Sequence, residues 1–265
     1  MAQLRFVLLR HSFSTGNARR IFSGMGDVEL APEGIQMVRD YREQGFYERF
    51  ATAQRYYSSP LLRCRQTFEL ALGDRAALDG VINVFHEIDF GEMEGTSLSS
   101  DEVAAFFSRW AAGEPQPGAP HLETLAHLRA RGCAAARALA LDCVASGVES
   151  VCVVAHSAIS RATITALAGL SPQTWLSTPM PNALGYVLTL DVDESAATPA
   201  PAGLITPADI PYDPDVARAS DAALLAASSA PASAGAPYTD VRLISAVPYG
   251  PADLIASCPT ITPHA

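Results

Sequence analysis

The sequence predicts a three-layer α/β/α sandwich with a mostly parallel central sheet. Three observations carry that expectation. Apolar runs of strand length, at residues 6–9, 81–85 and 151–155, alternate with amphipathic helical stretches. The run at 151–155 is unbroken and bounded by Ser150 and His156, the pattern of a strand buried on both faces. Charged or titratable residues stand directly behind the runs: Arg10-His11, His86-Glu87 and His156. In open α/β sheets, chemistry collects just beyond the carboxyl ends of the strands.

Each element follows from its local pattern. After residues 6–9 come Arg10, His11 and the small and polar residues 12–17, which read as a strand and the loop behind it. A cation and an imidazole beside loop N–H groups suit an anionic ligand. Over residues 31–50, Ile35, Val38, Tyr41 and Phe46 share a helical face, with Pro32 in the first turn. Tyr56-Tyr57 leads through Ser58-Ser59-Pro60 into a helix over residues 61–72, with Arg63 in its first turn. Residues 81–85 predict a strand ending at His86-Glu87, followed by a Gly-rich acidic loop through Gly95. Val103, Phe106, Phe107 and Trp110 space a helix over 100–112. Leu122, Leu125, Cys133, Ala136, Leu139, Cys143 and Val144 fall on one face of a long helix that Gly147 stops. A central strand at 151–155, a helix at 158–168 and a strand at 185–192 complete the domain, placed at residues 1–194.

Beyond that point the composition changes. Residues 191–265 hold 11 of the 19 prolines, with nine acidic and two basic residues. The extension at 195–265 is expected to be a Pro/Ala-rich linker or surface wrap, loosely ordered through residue 237, with one more edge strand near 240–247.

The totals exclude several function classes. A chain of 265 residues that is 49% hydrophobic sustains a large core. The net charge of −10, without any basic run, makes nucleic acid and anionic membrane poor partners. No apolar run approaches a bilayer span. The opening Met-Ala-Gln-Leu-Arg lacks a signal-peptide pattern, so a cytoplasmic protein is expected. The five cysteines are odd in number and form no Cys-x-x-Cys, so they read as small buried hydrophobes. There is no His-Glu-x-x-His and no clustered Asp set, and no metal is expected.

His11 and His156 each follow an apolar run directly, so a parallel sheet brings both to one edge. Arg63, opening a helix after a strand, and Glu87, following another, reach the same rim. Taken together, these stretches resemble the motifs of the histidine phosphatase superfamily, also called phosphoglycerate-mutase-like. Arg10-His11-Ser12-Phe13-Ser14-Thr15-Gly16-Asn17 is similar to its Arg-His-Gly-Glu-Ser/Thr-x-x-Asn. Residues 58–67, Ser-Ser-Pro-Leu-Leu-Arg-Cys-Arg-Gln-Thr, and 87–95, Glu-Ile-Asp-Phe-Gly-Glu-Met-Glu-Gly, are similar to its second and third motifs. His156-Ser157-Ala158-Ile159-Ser160-Arg161 resembles the fourth, His-Gly-x-x-x-Arg behind a strand. Order and spacing agree over residues 4–190.

The resemblance implies a metal-independent phosphatase that needs no cofactor and acts on small phosphorylated substrates. His11 would be the nucleophile and carry a phosphohistidine. Arg10, Arg63 and His156 would hold the equatorial oxygens, helped by Asn17, and Glu87 would be general acid and then base. Ser23 and Gly24 would lend backbone N–H groups. Elementary chemistry agrees with these roles. Phosphoryl transfer is mostly positioning and charge stabilisation. The arginine fork matches two phosphate oxygens. A neutral imidazole with one nitrogen held by a hydrogen bond is a competent nucleophile. A carboxylic acid that protonates the leaving oxygen suits an acid-side pH optimum.

The chain also departs from the motifs. Ser12 and Ser157 stand where the family has glycine, which would set a hydroxyl beside the phosphate. Phe13 replaces Glu/Gln, which suggests an apolar pocket wall, and Met93 replaces Trp. Arg19, Arg20 and Arg65 read as solvated surface charge, and His121 and His127 as non-catalytic. Two rival readings stand beside the phosphatase. A phosphoglycerate mutase resembles this family but has a basic, longer segment before the fourth motif, whereas residues 96–150 hold four arginines and no lysine. A non-catalytic phospho-ligand binding protein would need the cations but no proton donor. For the extension, covering the pocket, binding a partner and mediating a homodimer all stay open.

Overall fold

The structure is a computed structural model that describes residues 1–97, 99–228 and 238–263. Among these, the strands are β1 (Ala2–Arg10), β2 (Arg55–Ser58), β3 (Gly80–Ile82), β4 (Ser150–Ala155), β5 (Gly185–Val192), β6 (Ile205–Thr206) and β7 (Val241–Tyr249). They form one seven-stranded sheet in the order β6-β3-β2-β4-β1-β5-β7. The central ladder β3-β2-β4-β1 is parallel. β5 runs antiparallel to β1, β7 antiparallel to β5, and β6 antiparallel to β3. "Mostly parallel" therefore describes the direction of the strands, while half of the pairings are antiparallel.

The helices are α1 (Thr15–Ala18), α2 (Pro32–Glu43), α3 (Leu62–Leu72), α4 (Ser100–Ala111), α5 (Leu125–Ala145), α6 (Ser157–Leu167), α7 (Pro214–Ala227) and α8 (Ala252–Ile255). Strand alternation builds the three layers. Val7 and Leu9 of β1 pack with Val38 of α2 and Cys64 and Phe68 of α3. Leu4, Phe6 and Leu8 point the other way, into a larger core with Leu128 and Leu139 of α5 and Ile159 and Ile164 of α6. Burying each such Leu or Phe contributes roughly 1.5–3 kcal/mol. Among the described residues, no helix is long and apolar enough to cross a membrane.

Three expectations are corrected. The strand at 81–85 stops at Ile82, and Asn83–Phe85 forms a 3₁₀ turn. Arg131 explains the stop: its Nη1 donates to the carbonyls of Val84 and His86, at 2.5 and 3.0 Å, drawing them away from the ladder. The helix in 31–50 ends at Glu43, just before Gly45 with its φ of +78°, so Phe46 falls outside the helical face assigned to it. Part of the supposedly loose 194–237 is ordered: Asp213 caps α7, which buries Ala217, Asp221 and Leu224, and β6 pairs with β3. Residues 229–237 lie outside the described residues.

α5, α7 and the 3₁₀ turn enclose a buried polar network. Arg131 Nε donates to Glu123 Oε1 at 2.6 Å and its Nη2 to Glu123 Oε2 at 2.9 Å. Burial opposes ionisation of Glu123, but Arg131 and the neighbouring histidines outweigh it and hold the carboxyl far below the usual range. Because the folded value is depressed, this stability is fully present above the ordinary carboxylate range. It is lost only as pH falls through the lowered value. Glu123→Ala leaves Arg131 buried without its partner. It is expected to cost about 3–5 kcal/mol in denaturant unfolding at neutral pH, with the difference from wild type shrinking in strong acid.

Candidate active site

β1 ends at Arg10, and the next peptide is held from two sides. His11 N–H donates to the Ala155 carbonyl of β4 at 2.9 Å, while Ala183 N–H and Asn182 Nδ2 donate to the His11 carbonyl, each at 3.2 Å. His156 directly follows β4, the parallel neighbour of β1, so the two imidazoles emerge side by side. Their ring centroids are 5.1 Å apart at 62°. Arg63 lies in the first turn of α3. Glu87 follows the 3₁₀ turn and accepts from the first free N–H groups of α6, Ala158 at 3.0 Å and Ile159 at 3.1 Å.

His11 has a defined tautomer. Its Nδ1 is 2.6 Å from its neighbour's carbonyl, Ser12 O, so Nδ1 donates and Nε2 keeps its lone pair. Burial, then the charges of Arg63 and Arg10, push its pKa well below the ordinary imidazole value. His156 shows the opposite tautomer. Its Nδ1 accepts from Arg63 Nε at 3.2 Å, and its Nε2 faces Ser59 Oγ at 2.7 Å. Burial first, and then Arg63, depress its pKa as well.

The arginines are held by main-chain carbonyls. Arg10 Nη1 donates to Met180 O at 2.7 Å, and its Nε is buried without a partner. Arg63 Nη1 and Nη2 donate to Gly26 O and Gly24 O at 2.7 and 2.8 Å. Arg161 donates to Trp175 O and lies 3.7 Å over the Trp175 ring. Burial lowers Arg10 and Arg161 to about 10, still charged at neutral pH. Carbonyls take up part of each guanidinium's N–H groups without neutralising its charge. Arg10, His11, Arg63, Glu87 and Arg161 share a cavity of about 550 Å³, in which Glu87 is the one lining carboxylate among the described residues.

The sequence expectations divide on this geometry. Arg10, His11, Arg63, Glu87, Asn17, Ser23 and Ser157 all line the cavity. Asn17 Oδ1 is taken by Ser14 in the capping box of α1, which leaves its NH₂ end for a ligand. His156 stands one layer back, fully buried with both nitrogens engaged, and acts on the cavity through Arg63 rather than from its wall. Ser12 is corrected: its hydroxyl donates to Gly34 O at 2.8 Å and its N–H to Thr67 Oγ1, so it ties the loop to α2 and α3. Gly24 is not among the residues lining the cavity; its carbonyl holds Arg63. Phe13 is absent from the wall, because its backbone packs against Gly34.

Other residues gain a place. Arg20, read as surface charge, stands at the cavity rim with φ +54°. Arg161 was visible only as the last residue of the fourth motif. Phe22, Phe90, Phe107 and Trp175 also line the cavity. Of these, Phe107 was read only as a helix-face residue, and nothing in a linear pattern connects it with Phe22 and Trp175. Among the described residues, no group of His, Cys, Asp and Glu is placed to hold a metal ion.

Comparison with known proteins agrees with this architecture. The sequence profile of the histidine phosphatase superfamily (branch 1) matches residues 6–198. The chain belongs to that superfamily. It is 26% identical over 215 residues to a 2,3-bisphosphoglycerate-dependent phosphoglycerate mutase of Nitrobacter hamburgensis, covering 75% of this chain and 97% of the relative. Its fold is similar to that of mycobacterial glucosyl-3-phosphoglycerate phosphatase, with TM-score 0.58, 25% identity and coverage of 75% and 95%. It is also similar in fold to Entamoeba histolytica phosphoserine phosphatase solved with 3-phosphoglyceric acid, with TM-score 0.54, 24% identity and coverage of 72% and 91%.

Two outcomes follow from the geometry. A Cβ at Gly24 would sit 1.8 Å from Ile88 O. Gly24→Ala must therefore displace the strand of loop that holds Arg63, and is expected to lower kcat/KM at least about tenfold, a displacement of the positioned cation. Because the His11 pKa is depressed, its imidazole stays neutral as pH falls below the ordinary value of 6.5. The acid limb of kcat/KM is expected below that ordinary value. An acid limb centred at or above 6.5 would contradict the assignment of His11.

Proposed function

We propose that the protein is a phosphomonoesterase that works through a phosphohistidine on His11. The observation that carries this reading is the free Nε2 of His11 in a cavity where Arg10 and Arg63 are held by main-chain carbonyls and, for Arg63, a neutral imidazole, with no carboxylate paired to either. A phosphate dianion entering there meets Arg10, with its unpartnered Nε, and the remaining N–H groups of Arg63. Nε2 attacks phosphorus, the ester P–O bond breaks, and protonated Glu87 gives its proton to the departing alcohol oxygen. Glu87, then a carboxylate, takes a proton from water as the water attacks the phosphohistidine. The P–N bond breaks, phosphate leaves, and Glu87 is again protonated. Fixed donors around the transferring group supply most of the stabilisation. His156 keeps Arg63 aligned through its Nε.

Named relatives include phosphoglycerate mutases, so transfer between positions on one substrate is the competing reading. A mutase must grip a second anionic group. Of the four arginines of residues 96–150, none lines the cavity and three are engaged elsewhere. Arg129 donates to Thr165 Oγ1 and Leu170 O, Arg131 binds Glu123, Arg137 pairs with Asp240, and Arg109 is exposed in the last turn of α4. This favours hydrolysis.

The test is phosphate release in EDTA from a panel of natural monoesters, with 3-phosphoglycerate isomerisation followed in parallel. Release by the wild type is expected, with loss of all turnover in His11→Ala and a decrease of about 10²–10⁴ in Glu87→Gln. Isomerisation without net release would replace this reading with the mutase. Undiminished turnover in His11→Ala would remove the mechanism.

A further inference from the structure

Only one end of the cavity is built for phosphate. The other end is walled by Ile21, Phe22, Phe90, Val103, Phe107 and Trp175. Those rings form one packed surface. Phe22 and Phe90 centroids lie 4.6 Å apart, Phe22 and Phe107 6.1 Å, and Phe107 and Trp175 5.5 Å. The surface is also fixed. Trp175 Nε1 donates to Ala158 O at 3.1 Å, and its other face is covered by Arg161. Arg161 belongs to the phosphate end, within electrostatic reach of Arg10 and Glu87. Arg20 stands exposed at the rim.

A carboxylate or polyol placed against the Phe22, Phe90 and Phe107 rings would lose its water and find no donor on those rings in return, which costs free energy for each unpaired group. A ring or branched chain would lose nothing and would gain aromatic contact. The volume of about 550 Å³ is much larger than a phosphate needs and falls in the range of pockets that enclose a whole small molecule.

We propose that this wall is the subsite for the alcohol half of the substrate, and that the substrates are phosphate monoesters of aromatic or branched apolar alcohols. The proposal rests on the phosphomonoesterase reading above and names the substrate class of that site. It assigns substrate selection to α4, through Val103 and Phe107, and to the loop carrying Trp175.

The experiment uses non-hydrolysable ligands, so that binding is read apart from turnover. Calorimetry compares 3-phenylpropylphosphonate with 3-phosphonopropionate, which carries a carboxylate in place of the ring. The phenyl ligand is expected to bind at least about tenfold tighter, as burial of a ring predicts. Phe107→Ala is expected to reduce that ratio, and Val103→Arg to shift it toward the carboxylate ligand, with circular dichroism confirming that both variants fold. Equal or tighter binding of 3-phosphonopropionate to the wild type overturns the proposal, as does a ratio that Phe107→Ala leaves intact. His11-dependent phosphate release from 3-phenylpropyl phosphate, glycerol 3-phosphate and 3-phosphoglycerate, all primary alkyl esters, is measured alongside. Release that is fastest from 3-phosphoglycerate would retain the phosphomonoesterase and discard the apolar substrate class. Failure to release phosphate from any of them would discard both.

Discussion

Buried positive charge without acidic partners is the constraint on which the rest of the site depends. Arg10, Arg63 and Arg161 each lose water on folding and gain main-chain carbonyls in exchange. A carboxylate partner would have stabilised each guanidinium more, but it would also have occupied the place of a phosphate. Carbonyl dipoles leave the charge unneutralised, so an incoming dianion completes the electrostatics. Burial first, and then the same field, keeps His11 and His156 neutral, since a proton on either ring would be a desolvated charge beside like charges. A neutral imidazole and a cluster of unneutralised cations thus arise from one arrangement.

The frame that holds these groups draws on distant parts of the chain. Glu87 is aimed by the N-terminus of α6, and its backbone is secured from below. Arg131 Nη2 donates to the Glu87 carbonyl at 3.0 Å, and His86 bridges that same carbonyl and Asp221 of α7. Arg218 of α7 reaches Asp89 at 2.7 Å, two residues past Glu87. Helix α7 lies beyond residue 198, where the match to the superfamily ends. This chain therefore supports its Glu87 loop in part with residues that the superfamily profile does not include.

Much of this was legible in the sequence, and the reasons are physical. Strands bounded by His and Arg declare themselves because burial on two faces demands apolar residues up to the point where the chain leaves the sheet. That rule located Arg10, His11, Glu87 and His156 at one edge, and the turn Ser58-Ser59-Pro60 located Arg63. Side-chain direction was less legible. Whether Ser12 faces ligand or loop depends on Gly34 and Thr67, which approach it only after α2 and α3 have packed. His156 was found, but its engagement with Ser59 and Arg63 was not, because both partners come from the second motif. The apolar wall was misassigned to Phe13, since the rings that build it come from separate loops and helices. Helix α7 was obscured by the Ala, Ser and Pro composition around it, although Asp213 and Pro214 mark its start.

The central claim is that Nε2 of His11 accepts the phosphoryl group. It is tested most directly by trapping the enzyme during turnover of a ³²P-labelled monoester, quenching in alkali and locating the label by peptide mapping and phosphorus NMR. An acid-labile, alkali-stable phosphoryl group on Nε2 of His11, absent from His11→Ala, is the expected result. A label on Nδ1 or on any other residue, or turnover at full rate with no labelled enzyme, would contradict it.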